Sequence, residues 1–208
     1  MGCTAESLAG AIRAAAGVVV EHRDELIRLD REIGDGDHGE NMARGFNAVV
    51  AKLEEVPSSP GGVLRLVATT LISTVGGAAG PLFGTAFLRA ATSVGDVASL
   101  DGTAVAAALR AALEGVVARG KAEVGDKTMV DALTPAVAAA ESVAATGGGV
   151  AEVLEAAAGA AELGADSTVP LVARKGRASY LGERSAGHLD PGSRSTALLL
   201  RTFAGVAR

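Results

Sequence analysis

The chain has 208 residues, a formal net charge of −5, a single cysteine and 49% hydrophobic residues. That length suits a single domain over residues 1–208, which buries roughly 70% of its unfolded surface without disulfide staples. The acidic balance and 2% aromatic content argue against the basic, stacking surfaces of nucleic-acid binding. No basic tract addresses anionic lipid, and no apolar run reaches the ~18–20 residues of a membrane span. No signal peptide is expected either, because the first apolar run is broken by Arg13 and followed by Glu21, His22, Arg23 and Asp24. A cytoplasmic protein with no membrane or nucleic-acid partner is expected. Cys3 lies in the N-terminal tail without a partner for nucleophilic work.

Leu8, Ile12, Ala16, Val19, Leu26 and Ile27 recur at helical spacing and predict one amphipathic helix ending near Asp30. Met42, Phe46, Val49, Val50 and Leu53 mark a second helix, and Val63, Leu64, Val67, Leu71 and Val75 a third, with a Pro/Ser/Gly turn over 57–62 between them. Gly76 to Gly80 break the pattern, and a fourth helix opens at Pro81, a residue suited to a first turn. Val105 to Val117 form a fifth helix, stopped by Gly120. Thr128 to Asp131 read as a capping box opening a sixth. Gly147 to Gly149 separate it from a seventh on Val153, Leu154, Ala157 and Ala161; Thr168 to Val172 extend or follow that helix. After a polar stretch from Arg174 to Arg194, Leu198, Leu199, Thr202, Phe203 and Val206 mark the last.

With no alternating strand of five or more residues, the expectation is all-α: an eight-helix antiparallel up-and-down barrel or bundle. Short connections make neighbouring helices antiparallel. The loops after helices one, three and five and before helix eight then gather at one end, and these are the polar, glycine-rich ones.

The first of these loops carries the strongest chemical signal. Asp30, Asp35 and Asp37 fall within eight residues, with Gly34, Gly36 and Gly39 among them. Carboxylates this close repel, and a hard cation with oxygen ligands resolves the repulsion; a few carboxylates completed by substrate phosphates suit Mg²⁺. Gly34, Gly36 and Gly39 also match a dinucleotide fingerprint, but they follow a helix rather than a strand, and bare aspartates repel a pyrophosphate. Walker-A spacing fails because Glu40 and Asn41 stand where Lys and Ser/Thr are required. An EF-hand begun at Asp35 fails because Glu40 and Phe46 occupy its glycine and glutamate positions.

Other motifs leave two readings open. Gly76 to Gly80 are a plain helix breaker or an anion site at a helix start. Met129 is a core residue or a plate against a flat base. Arg174 to Ser185 are a solvated linker or a source of positive charge for a transferring phosphoryl group. His22 reads as surface. His38 contacts phosphate, tunes the neighbouring carboxylates or carries a phosphoryl group itself.

Four blocks, Leu29–Gly39 (LDREIGDGDHG), Gly76–Gly84 (GGAAGPLFG), Arg119–Met129 (RGKAEVGDKTM) and Ala173–Ser185 (ARKGRASYLGERS), taken in order along nearly the whole chain, resemble the nucleotide-binding L subunit of dihydroxyacetone kinase. The resemblance implies an eight-helix barrel binding ADP or ATP through Mg²⁺ at one end. Asp30, Asp35 and Asp37 would be the metal ligands. His38, Gly39, Glu40, Asn41, Ala78, Ala79, Gly120, Met129, Arg177, Asp190, Pro191 and Gly192 would line the nucleotide, with Arg177 catalytic. Ala79 stands where the family often has a serine, so backbone N–H groups take over a hydroxyl contact there. The resemblance further implies a separate K subunit holding dihydroxyacetone as a covalent adduct on a histidine. It also implies a phosphohistidine donor, the M subunit of the phosphoenolpyruvate phosphotransferase system, which recharges a resident nucleotide. A free chain of this length points to that form over the fused, ATP-dependent glycerone kinases. A nucleotide-sensing module without turnover and the nucleotide domain of fatty-acid kinases are the other readings.

Overall fold

The computed structural model describes residues 2–207. Among them, nine α-helices account for nearly all regular structure. They are α1 (Ala5–Glu21), α2 (Arg23–Ile33), α3 (His38–Lys52), α4 (Pro60–Thr74), α5 (Ala79–Val94), α6 (Gly102–Gly120), α7 (Met129–Ala145), α8 (Val150–Asp166) and α9 (Pro191–Val206). A 3-10 segment covers Arg177–Ser185. Two short strands, β1 (Cys3–Thr4) and β2 (Ser99–Leu100), pair antiparallel and tie the N-terminus to the connection before α6.

Most helix starts are written locally. Thr4, Ser59, Asp101, Thr128 and Asp190 each accept an N–H of the turn they open, and Pro60 and Pro191 occupy first-turn positions. The predicted capping box is present: Thr128 Oγ1 accepts from Val130 N, and Asp131 Oδ2 accepts from Thr128 N at 2.8 Å.

Eight helices close a ring in the order α1, α3, α4, α5, α6, α7, α8, α9, and α9 returns to α1. This is the all-α barrel the pattern implied, with one difference. The predicted first helix is two helices. His22 ends α1, with its N–H on Val18 O at 2.9 Å, and its own carbonyl already accepts from Leu26 N in α2. The run Val18–Val20 crowds the last turn of α1, and Glu25 is held sideways by His22 Nδ1 (2.5 Å) and by Arg194 Nε of α9 (2.7 Å). The chain therefore turns, and α2 leaves the ring to lie against α3, α9 and the 3-10 segment. That turn carries Asp30 to the barrel mouth.

Alanine sets how closely the wall helices approach. Ala132, Ala136 and Ala140 of α7 and Ala157, Ala158 and Ala161 of α8 are fully buried. A Cβ at Gly164 would lie 2.4 Å from the Asp131 carbonyl oxygen, which Pro135 in the interior of α7 leaves without its usual amide partner. The ring borders an open apolar pocket of about 550 Å³ lined in part by Phe83, Phe87, Leu133, Leu199 and Phe203. No helix is long and apolar enough to cross a membrane among the described residues.

Gly164→Ala should force α8 off α7 at a backbone contact and cost about 1–3 kcal/mol, lowering the melting temperature by about 2–4 °C per kcal/mol. Gly159→Ala, on the same helix with open space around it, should be neutral or stabilising because alanine favours the helix. Thermal melts of the pair check this; equal shifts would contradict the close approach.

Candidate functional site

The loops do gather at one end, around a cleft of about 540 Å³. Its wall takes Asp30, Gly34, Asp35, Asp37, His38 and Asn41 from the α2–α3 corner, residues 76–79 from the turn into α5, and Arg119, Gly120 and Ala122 from the end of α6. Residues 127–130 come from the start of α7, 175–178 from the 3-10 segment, and 190–192 from the start of α9.

The acidic corner depends on missing side chains. Asp30 sits in the last turn of α2, and its carboxylate folds over Gly34, where a Cβ would lie 2.2 Å from Asp30 Oδ1. Gly36 takes a φ of +76°, which other residues adopt at a cost. The chain thereby doubles back, and Asp30 Oδ2 accepts the N–H groups of Asp37 (2.9 Å) and His38 (3.1 Å) at the start of α3. Carboxylate oxygens of Asp30, Asp35 and Asp37 end within 4.8 Å of one another. Arg177 Nη2 lies 3.0 Å from Asp35 Oδ2 across the cleft. Three converging hard oxygen donors fit a divalent cation of the Mg²⁺ kind, which leaves its remaining positions to water and phosphate.

Opposite this corner, α5 opens at Ala79 with no side-chain cap, so its first N–H groups have no side-chain acceptor. Such a helix start favours an anion. Asn41 is buried, and its Oδ1 accepts from Arg44 Nη2. His38 Nε2 is 3.0 Å from Ser195 Oγ of α9, and burial pushes its imidazole below the usual value against the pull of Asp30 and Asp37. Asp190 caps α9 through Ser193 N at 2.7 Å. Burial raises its carboxyl to about 7; Ser193 N–H opposes the rise, Asp131 adds to it, Lys127 opposes it and Asp30 adds to it.

The structure thus brings together thirteen of the residues named from sequence: Asp30, Asp35, Asp37, His38, Asn41, Ala78, Ala79, Gly120, Met129, Arg177, Asp190, Pro191 and Gly192. Two do not line the cleft. Gly39 faces α2, where a Cβ would meet the Arg23 carbonyl oxygen at 2.2 Å, and Glu40 points outward to Arg23 Nη2 at 2.5 Å. Both lie in the first turn of α3, and the packing of α3 on α2 turns them from the opening. The sequence reading assigned no individual place on the wall to Arg119, Lys127, Thr128 and Lys175, all of which line it. All four fall inside the blocks Arg119–Met129 and Ala173–Ser185, so membership of those motifs was the available signal.

The raised Asp190 carboxyl has a consequence for stability. The folded chain holds this proton more tightly than the unfolded one between the ordinary value of 3.8 and about 7. The stabilisation is complete below pH 4 and is lost as pH rises through 7. Asp190→Asn should remove that component, so the variant gains on the parent between pH 4.5 and 8. Melting curves of the ligand-free proteins that stay parallel across this range would contradict the assignment.

Known proteins share this sequence pattern and fold. The model of the DAK2 domain family matches residues 32–205. The chain is 48% identical over 184 residues to the PEP-dependent dihydroxyacetone kinase ADP-binding subunit DhaL of Escherichia coli (strain K12), covering 88% of each. It is 38% identical over 205 residues to the L-erythrulose kinase of Pectobacterium atrosepticum, where 97% of this chain corresponds to 35% of that one. The crystal structure of the dihydroxyacetone kinase from C. freundii in complex with AMP-PNP and Mg²⁺ superposes with a TM-score of 0.74 at 25% identity, over 99% of this chain and 34% of that chain. A family model spanning most of the sequence, a relative nearly half identical over the same span and a shared fold place one conclusion beyond the motifs: the chain belongs to the DAK2-domain family.

Proposed function

We propose that this chain is the nucleotide-carrying subunit of a dihydroxyacetone kinase, a single nucleotide-binding domain acting in the cytoplasm. It holds ADP or ATP with Mg²⁺ in the cleft and passes a phosphoryl group to dihydroxyacetone presented by a separate K subunit. In the phosphoenolpyruvate-dependent form, a phosphohistidine M subunit restores the nucleotide in place. One observation carries the reading: three carboxylates, an uncapped helix start and a guanidinium converge on a single cleft in a chain nearly half identical to a relative named for ADP binding.

A bound Mg²⁺ would supply positive charge to offset that of the phosphates. Asp30, Asp35 and Asp37 hold it, and Asp30 is itself aimed by two backbone N–H groups. The turn into α5 offers N–H groups to phosphate where Ala79 has no hydroxyl to give. Arg177, held 3.0 Å from Asp35 at the cleft wall, is placed to meet charge that builds on the transferring group. Met129 and Gly120 supply apolar and open wall away from the acidic corner. The chain needs no nucleophile of its own, because positioning and electrostatics suffice for phosphoryl transfer.

The higher identity to the PEP-dependent subunit than to the erythrulose kinase supports the resident-nucleotide form. The erythrulose kinase match favours a second reading, in which the same fold serves an ATP-dependent ketose kinase and nucleotide exchanges freely.

Asp30→Asn or Asp35→Asn should abolish Mg²⁺-dependent nucleotide binding, weakening it by on the order of 100-fold or more, while the helical circular-dichroism signal stays. Unchanged titration calorimetry would defeat the metal assignment. Arg177→Ala should lower kcat by about 10³-fold with KM little changed, measured with K and M subunits supplied and phosphoenolpyruvate as donor. Turnover only with free ATP, and protein arriving empty in native mass spectrometry, would favour the second reading.

A further inference from the structure

Lys127 is a buried charge that the proposed chemistry does not use. It is 1% exposed, yet its backbone sits at φ +63° in the left-handed region. That conformation is one that side-chain-bearing residues adopt at a cost. Its ammonium donates to three main-chain carbonyls: Thr168 at 2.6 Å, Val169 at 3.4 Å and His188. Three donors on three acceptors exhaust the group, so it has no proton left for phosphate.

The identity of those acceptors points to the role. Thr168 and Val169 follow α8, and His188 precedes α9. The same stretches are laced together by Gly187 N on Val169 O (2.7 Å) and Asp190 N on Thr168 Oγ1 (3.1 Å). They lead directly into the turn Asp190–Gly192 on the cleft wall. The backbone of Lys127 runs into Thr128, the cap of α7, and a Cβ built on Gly192 would lie 3.6 Å from Met129 Cβ, so the two walls touch. For burial alone a hydrophobe would serve as well or better, because desolvating a charge is costly. Burial holds the ammonium below its usual value, against Asp190 and Asp131.

We propose that Lys127 is a positioning residue of the nucleotide cleft, its ammonium pinning the Asp190–Gly192 turn against the start of α7. This rests on the reading that the cleft holds a nucleotide. The residue touches no substrate and acts through the turn it fixes.

The test rebuilds the ammonium chemically. In a Cys3→Ser background, Lys127→Cys is alkylated while unfolded, with 2-bromoethylamine or with bromoethane, and refolded. The first product restores a charged stem of lysine length; the second fills nearly the same space without charge. Mg²⁺-ADP affinity is read by calorimetry, and kcat and KM in the assay with K and M subunits. The aminoethyl form should bind like the parent. The ethyl form, and Lys127→Met, should fold but lose affinity and kcat/KM by about 10²-fold, the scale of an ångström-sized misplacement. Equal affinity in the two alkylated forms overturns the proposal. So does an ethyl form that fails to refold where the aminoethyl form succeeds, because the lysine is then needed for folding alone. Failure of the unaltered chain to bind Mg²⁺-ADP would instead sink the nucleotide reading itself.

Discussion

Mutual repulsion among Asp30, Asp35 and Asp37 is the constraint on which the rest of the site depends. Two unit charges about 4 Å apart repel by roughly 4 kcal/mol at the effective dielectric of a protein surface, and here three carboxylates reach within 4.8 Å of one another. The fold answers with what it has on hand. Two N–H groups at the start of α3 hold Asp30, and Arg177 holds Asp35. Asp37 draws neither kind of support. Converging carboxylates held by backbone donors suit a divalent cation, whose charge would replace their repulsion with coordination.

The barrel exists to keep that corner and its counterparts in register. Alanine-lined helices approach closely enough that small backbone shifts would be felt across the wall, and polar staples lock the loops above them. Asp131 caps α7 and also receives Gly125 N; Asp190 caps α9 while its own N–H rests on Thr168. The loop ends are therefore bound to one another as well as to their helices. A mouth built from irregular backbone can hold a ligand precisely placed only when such cross-links remove its freedom.

Helix placement was legible where apolar periodicity and caps agree. Thr128 with Asp131 marks a start that the structure keeps, whereas the helices opened by Pro60 and Pro191 begin inside stretches read as turn and polar connection, because their Ser59 and Asp190 caps precede the apolar periodicity. Periodicity failed at His22, because Leu26 and Ile27 continue the apolar stripe across the turn. At the break Glu25 is gripped by His22 and, from the far end of the chain, by Arg194. The resemblance implied a place beside the nucleotide for Gly39 and Glu40, but one helical turn distributes its residues around an axis, and in the structure both pack toward Arg23 of α2.

Composition, spacing and capping, all properties of neighbouring residues, determined an all-α chain with an acidic, glycine-flanked loop and polar connections able to share one end. Tertiary structure alone decided that α2 leaves the ring, that Arg177 meets Asp35, and that Lys127 lies buried among three carbonyls. Each of those outcomes joins residues far apart in the chain. Local patterns carry the free energy of a turn or a cap, whereas the burial of a charge is set by whatever distant segments close over it.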